Sequence, residues 1–290
     1  MRDQHNPHDW SRHRSLPVVD DPARLTRALA VRLRELHRTG DPLTVPDVWD
    51  TASARLVLRA GFPAVATSST AIAVSLGYPE GTPAPVADVL DTVAQIASDV
   101  PIPVLADLER AAGTDAPELA ERLIATGVAG CTLQDSDPAA GGLHGVDRQA
   151  AFLAAVRAAV RHSGTDLVVN ARIDSYLFVA GHPHQAPHHD LLDAATADVV
   201  TRARRYLAAG ADCVRPAGIW RTEDIRRVVS AAEGRVDVEF RADAAATPTP
   251  RELARLGVSR ISLGHSLRQA GLEEFRARLA LLRAGHHPPG

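Results

Sequence analysis

The chain has 290 residues, 45% of them hydrophobic, with a net charge of −3 and a pI near 6.5. That charge makes no case for nucleic acid or an anionic membrane surface as a partner, and no apolar run reaches the roughly 18 residues that span a bilayer. All 32 basic residues are arginine, which excludes imine-forming lysine enzymes, pyridoxal phosphate held through lysine, and P-loop nucleotide binding.

Met1 to Asp20 is polar and His-rich and lacks the apolar stretch of a secretory signal. It reads as the start of a disordered head over residues 1–21, and the protein reads as cytoplasmic. Residues 22–285 follow as one domain and 286–290 as a tail. Leu25, Leu29, Leu33 and Leu36 recur at helical spacing, so 22–39 is expected to form an amphipathic helix closed by Gly40.

From there the chain alternates. Apolar strands are expected at 43–48, 64–68, 103–107, 130–134, 167–171, 213–217, 236–241 and 260–264. Helical patterns lie between them at 52–60, 86–98, 116–126, 148–161, 191–209, 222–232 and 250–256, and a last one covers 267–283. Gly61, Gly127, Gly210 and Gly257 sit where helix C-termini need a left-handed residue. Eight strand–helix units predict an α/β fold, a (β/α)8 TIM-type barrel with an N-terminal helix. A doubly wound open sheet is the alternative, but no G-x-G-x-x-G follows the first strand. Cys131 and Cys213 lie in apolar runs and read as core thiols.

Catalytic groups of such barrels stand at the C-terminal ends of strands. Asp107 and Glu109 share one side of an extended chain, and two converging carboxylates call for a cation between them; oxygen ligands suit Mg²⁺. The plainer alternative pairs Glu109 with Arg110 or Arg122. Ser68, Ser69 and Thr70 can hold a carboxylate or simply cap a helix. Arg172 offers a two-pronged carboxylate clamp or an ion pair with Asp174. Glu80 lies in a loop that reaches a metal or lies idle. His182, His184, His188 and His189 are interleaved with prolines, which fixes no coordination geometry. His286 and His287 carry no metal signal either.

At these strand ends the chain resembles the isocitrate lyase/phosphoenolpyruvate mutase superfamily, as a divergent short bacterial member. The resemblance rests on Pro46-Asp-Val-Trp-Asp50 and the run that follows it, on Ser75-Leu-Gly-Tyr-Pro and on Val104-Leu-Ala-Asp107-Leu-Glu109. Asn170-Ala-Arg172-Ile-Asp174 and the segment from Pro250 to Gly264 complete it, over about residues 42–270.

The resemblance implies a barrel that binds Mg²⁺, with Mn²⁺ as a substitute, and acts on a small 2-oxo or 2-hydroxy carboxylic acid through an enolate. The reaction would be C–C cleavage or formation, or else P–C rearrangement of a phosphonate. By the family pattern Asp107, Glu109 and Glu80 surround the metal, with Gln134 beside them. Ser68, Ser69 and Thr70 hold the substrate, with Trp49, Asn170 and Arg215 as further binding residues, and Arg172 is the active-site arginine. A homo-oligomer, dimer or tetramer, with C-terminal helices packed between subunits is implied as well.

Three departures stand out. Arg110-Ala111-Ala112-Gly113 replaces the family's Gly-Tyr-Gly, and Gln134-Asp135 replaces Glu-Asp. Residues 139–145 lack the lysines and the cysteine of the lyase lid, which leaves His144 as a candidate proton donor. A non-catalytic barrel that binds a carboxylate ligand is the remaining alternative.

Overall fold

The computed structural model describes residues 21–108, 114–137, 140–179, 189–241 and 247–287. The expectations for the head up to Asp20, for Glu109 and residues 110–113, for Ala139, and for His182, His184 and His188 lie outside them.

The chain opens with α1 (Pro22–Leu36), capped by the Asp21 carboxylate, which accepts from the Ala23 and Arg24 N–H groups. Then come β1 (Leu43–Val45), β2 (Asp47–Val48), α2 (Thr51–Arg59), β3 (Val65–Thr67), α3 (Ser69–Ser75), α4 (Val86–Asp99) and β4 (Val104–Leu108). After α5 (Ala116–Ala125) and β5 (Gly130–Gln134) the small strands β6 (Ser136–Asp137) and β7 (Gly142–Leu143) form a hairpin. α6 (Val146–His162) and β8 (Val168–Ile173) lead through a 3-10 turn (Ser175–Phe178) to α7 (His189–Ala208). The last third holds β9 (Cys213–Pro216), α8 (Thr222–Ala231), β10 (Asp237–Glu239), α9 (Pro250–Leu256), β11 (Arg260–Ser262) and α10 (Ser266–Arg283).

The strands pair in parallel in two runs, β2-β3-β4-β5-β8-β9 and β1-β11-β10. A parallel bridge from Val214 to Val236 joins the runs at one seam. At the other, β1 and β2 are a single strand interrupted at Pro46, which has no N–H to donate. The ring is therefore closed, and the expected (β/α)8 barrel is what forms. All four glycines singled out as helix stops have positive φ, between 76° and 102°. The hairpin, α3 and the 3-10 turn are too short to leave a periodic signal, and sequence reading passes over them.

Two apolar layers hold the barrel. The larger lies between strands and helices and is rich in Val, Leu and Ala. The smaller fills the barrel interior, where Leu33 of α1 meets Leu43, Val45, Ala66, Leu105 and Val168. α1 is thus a plug over the N-terminal end. Gly130 is needed there, because a Cβ would stand 2.6 Å from the Val168 carbonyl oxygen and 3.3 Å from Leu33. Asp212 locks the plug: it takes Arg34 at 3.0 Å, the Val169 N–H at 2.8 Å, and Arg157. Burial works against its charge, but Arg157, Val169 and Arg34 overcome it and hold the carboxyl below its ordinary range.

His37, just after α1, has its Nδ1 on the Leu33 carbonyl at 2.8 Å and its Nε2 buried. Burial, and then the charge of Arg260, lower it to about 4. The unfolded chain takes up a proton near pH 6.5 that the folded chain refuses until about pH 4. Stability is therefore complete above pH 6.5 and falls as pH drops through that window, by up to about 3 kcal/mol. His37→Gln is expected to flatten that loss in urea titrations at pH 7 and pH 5; an unchanged pH dependence would remove His37 from it.

α10 buries none of its residues. Leu272, Phe275, Leu279 and Leu282 leave an exposed apolar stripe, from 36% to 59% accessible.

Candidate active site

A cavity of about 450 Å³ opens at the C-terminal ends of the strands, a size common for small-molecule sites. One side is acidic and hydroxylic: Asp47, Ser68, Thr70, Asp107 and Glu239. Arg172, Arg215 and Arg241 face the same space, with His265. Leu177, Ala217, Ile219 and Trp220 form an apolar wall.

Asp107 comes from β4, where every position is buried because the strand is covered on both faces. Its N–H donates to Thr67 Oγ1 at 3.1 Å, which ties the ends of β3 and β4 together. Asp47 takes the Leu263 N–H at 3.2 Å. Burial pushes the Asp47 carboxyl up to about 7, with the charge of Arg215 working against the rise and that of Asp107 adding to it. A buried carboxylate whose ionisation a neighbouring carboxylate makes costlier is suited to a cation.

The donor set consists of hard oxygens, two carboxylates with two hydroxyls, and both cysteines are buried in the core away from it. That chemistry fits Mg²⁺, which takes one or two protein carboxylates and keeps much of its water. Among the described residues no three His, Cys, Asp or Glu side chains form a ready-made cage.

Arg215 is 6% exposed and gives its Nη2 to Glu239 Oε2 at 2.5 Å. Burial opposes its charge, while Glu239, Asp237, Asp107 and Asp47 keep it protonated. Gly264 makes room for this pair, since a Cβ there would lie 2.5 Å from Glu239 Oε1. Arg172, at the end of β8, gives its Nε to Asp174 Oδ1 at 2.7 Å while facing the cavity. The clamp and the ion pair, weighed as alternatives from sequence, are one arrangement.

Behind it, Asp135 is fully buried and accepts from the Asp174 N–H, Arg202 and Tyr206 at 2.9, 3.0 and 2.8 Å. Burial pushes its carboxyl upward against those three bonds.

The structure brings Ser68, Thr70, Asp107, Arg172 and Arg215 to one cavity. Among the described residues, Ser69, Asn170, Trp49, Glu80, Gln134 and His144 are not among those that line it. Ser68 also caps α3, accepting from the Ala71 N–H at 3.3 Å, so its hydroxyl has both roles weighed for it. Ser69 is buried beside it. Asn170 sits inside the barrel, donating to Asp237 at 3.0 Å and Thr132 at 3.4 Å. Trp49 packs against the core, and Glu80 is exposed in the turn after α3. Gln134 ends β5, its carbonyl accepting from Gln149 at 3.0 Å. His144 closes the base of the hairpin, 3.1 Å from Asp137. Glu239, Arg241 and the apolar wall were missed as site residues. Strand-end position points to Glu239 and Arg241, but nothing local marks Leu177 or Ile219.

The chain matches a family model described as phosphoenolpyruvate phosphomutase over residues 33–283. The chain belongs to the phosphoenolpyruvate phosphomutase family. It stands thereby in the isocitrate lyase/phosphoenolpyruvate mutase superfamily. A Burkholderia cenocepacia J2315 protein provisionally described as a phosphonomutase is similar at 35% identity and TM-score 0.77, over 90% of this chain and 99% of that one. A second protein of that organism, provisionally a lyase/mutase, is similar at 30% identity and TM-score 0.78, over 90% and 89%. An uncharacterized protein of Mycobacterium tuberculosis H37Rv is 29% identical over 186 residues, and the match covers 62% of either chain. The chain thus spans under two thirds of the curated relatives it matches.

Among the described residues no helix is long and apolar enough to cross a membrane.

Proposed function

We propose that this protein is a Mg²⁺-dependent cytoplasmic lyase that cleaves or forms a C–C bond in a small 2-oxo or 2-hydroxy carboxylic acid through an enolate. The observation that carries this reading is the meeting of Asp107 and Asp47 with Ser68, Thr70 and Arg172 around one cavity. When bound, Mg²⁺ or Mn²⁺ supplies polarisation of the substrate's oxygens. Asp107 would hold the ion, with Asp47 beside it. Ser68 and Thr70 orient the carboxylate by hydroxyl hydrogen bonds. Arg172, already aligned by Asp174, offers its guanidinium to the oxygen on which enolate charge develops, where a fixed donor acts without reorganising. Leu177, Ile219 and Trp220 offer an apolar side to the bound substrate.

Charge balance favours C–C over P–C chemistry. A phosphonate needs surplus cation, and of the three arginines at the cavity Arg172 is bonded to Asp174 and Arg215 to Glu239. The test is a panel of 2-oxo and 2-hydroxy acids with Mg²⁺, read as pyruvate or glyoxylate release. Metal-dependent release from one member is the expected result. Conversion of a phosphonate instead would move the reaction to the P–C class, and no turnover with no Mg²⁺–oxalate thermal shift would leave a ligand-binding barrel.

A homo-oligomer would cover the stripe on α10, none of whose residues is buried. Sedimentation of the native chain is expected to show a dimer or tetramer, and Phe275→Arg to shift it toward monomer; a native monomer would refute this assembly.

A further inference from the structure

We propose that Asp174 is a positioning residue that ties the β6–β7 hairpin to the Arg172 guanidinium, so that hairpin position and arginine orientation are coupled through one carboxylate. The inference rests on the proposed role of Arg172 at the cavity. Asp174 is 1% exposed, and its two oxygens serve different elements. Oδ1 accepts from Arg172 Nε at 2.7 Å, and Oδ2 accepts from Ser136 Oγ, the first residue of the hairpin, at 2.5 Å.

The carboxylate itself cannot drift. Its N–H donates to Asp135 Oδ1 at 2.9 Å, and its carbonyl accepts from the Leu177 N–H at 2.9 Å as the chain turns into the 3-10 segment. The hairpin is hinged on the same anchor. The Asp135 N–H donates to the Arg172 carbonyl at 3.1 Å, and the Asp135 carbonyl accepts from the His144 N–H at 2.8 Å. Ser136 and Gly142 are only half-buried, whereas Asp135 and Asp174 are inside. A displacement of β6 about that base would bear first on the bond from Ser136 to Asp174. A carboxylate that loses that donor in a dry site turns more fully to its other partner, and the guanidinium turns with it.

The tests separate this coupling from the function proposed above. Phenylglyoxal labelling of Arg172, followed by peptide mass spectrometry, needs no ligand. Ser136→Ala removes a hydrogen bond to a buried charge and is expected to change the labelling rate about tenfold, with Ser136→Thr restoring it. Calorimetric titration with Mg²⁺ and oxalate is expected to weaken in Ser136→Ala by a similar factor and to recover in Ser136→Thr. Unchanged labelling in Ser136→Ala overturns the coupling, and so does a change that threonine does not reverse. A native protein that fails to bind Mg²⁺–oxalate refutes the lyase reading instead, and the labelling result still decides the coupling.

Discussion

Asp107→Asn is expected to lose about a thousandfold or more in turnover, because it removes the carboxylate proposed to hold the cation while keeping the side chain's shape. The fold should not suffer. The backbone N–H to Thr67 Oγ1, a structural contact at this position, is left intact by the substitution. The charge of Asp107 is one of the causes that push the Asp47 carboxyl up to about 7, so removing it relieves repulsion. A melting temperature at or above that of the native chain is therefore expected, with no further rise on adding Mg²⁺ and oxalate. Full turnover, or a retained Mg²⁺–oxalate shift, would take Asp107 out of the metal site.

Arg172→Lys is expected to cost about a hundredfold to a thousandfold in kcat/KM, the range seen when a transition-state donor is removed. Lysine keeps the charge but not the planar fork, and it cannot give one nitrogen to Asp174 while aiming the others at substrate. Arg172→Ala should do more. It leaves the Asp174 carboxylate, 1% exposed, without its cation, and breaking a buried pair costs about 3–5 kcal/mol. The pair of variants separates the two effects: lysine should lose activity with a small change in urea midpoint, and alanine should lose both. A lysine variant with native kcat/KM would show that the guanidinium geometry is irrelevant.

Much of the barrel is legible in the chain because its determinants are local. The strand expected at 130–134 and the helix at 250–256 have those bounds in the structure, and the other barrel elements shift by a few residues. Asp107 and Arg172 were legible as well, since strand-end position is enough to place a side chain at the barrel mouth. Asn170 shows the limit. It stands two residues before Arg172 in the same strand, yet its side chain turns to Asp237 inside the barrel, a partner 67 residues away. His144 shows it from another side: its place is set by a hairpin of two-residue strands held by Asp135.

Periodicity, glycine placement and the absence of lysine thus settled the barrel, its strand ends and the chemistries it cannot perform. Each of these follows from residue type and spacing within a few turns of chain. Ring closure alone set Asp47 against Asp107, Glu239 against Arg215 across Gly264, and the wall of Leu177 and Ile219 opposite them. These contacts join strands far apart in sequence. Burial and Coulomb energy between such partners depend on distance in space, which a spacing along the chain does not carry.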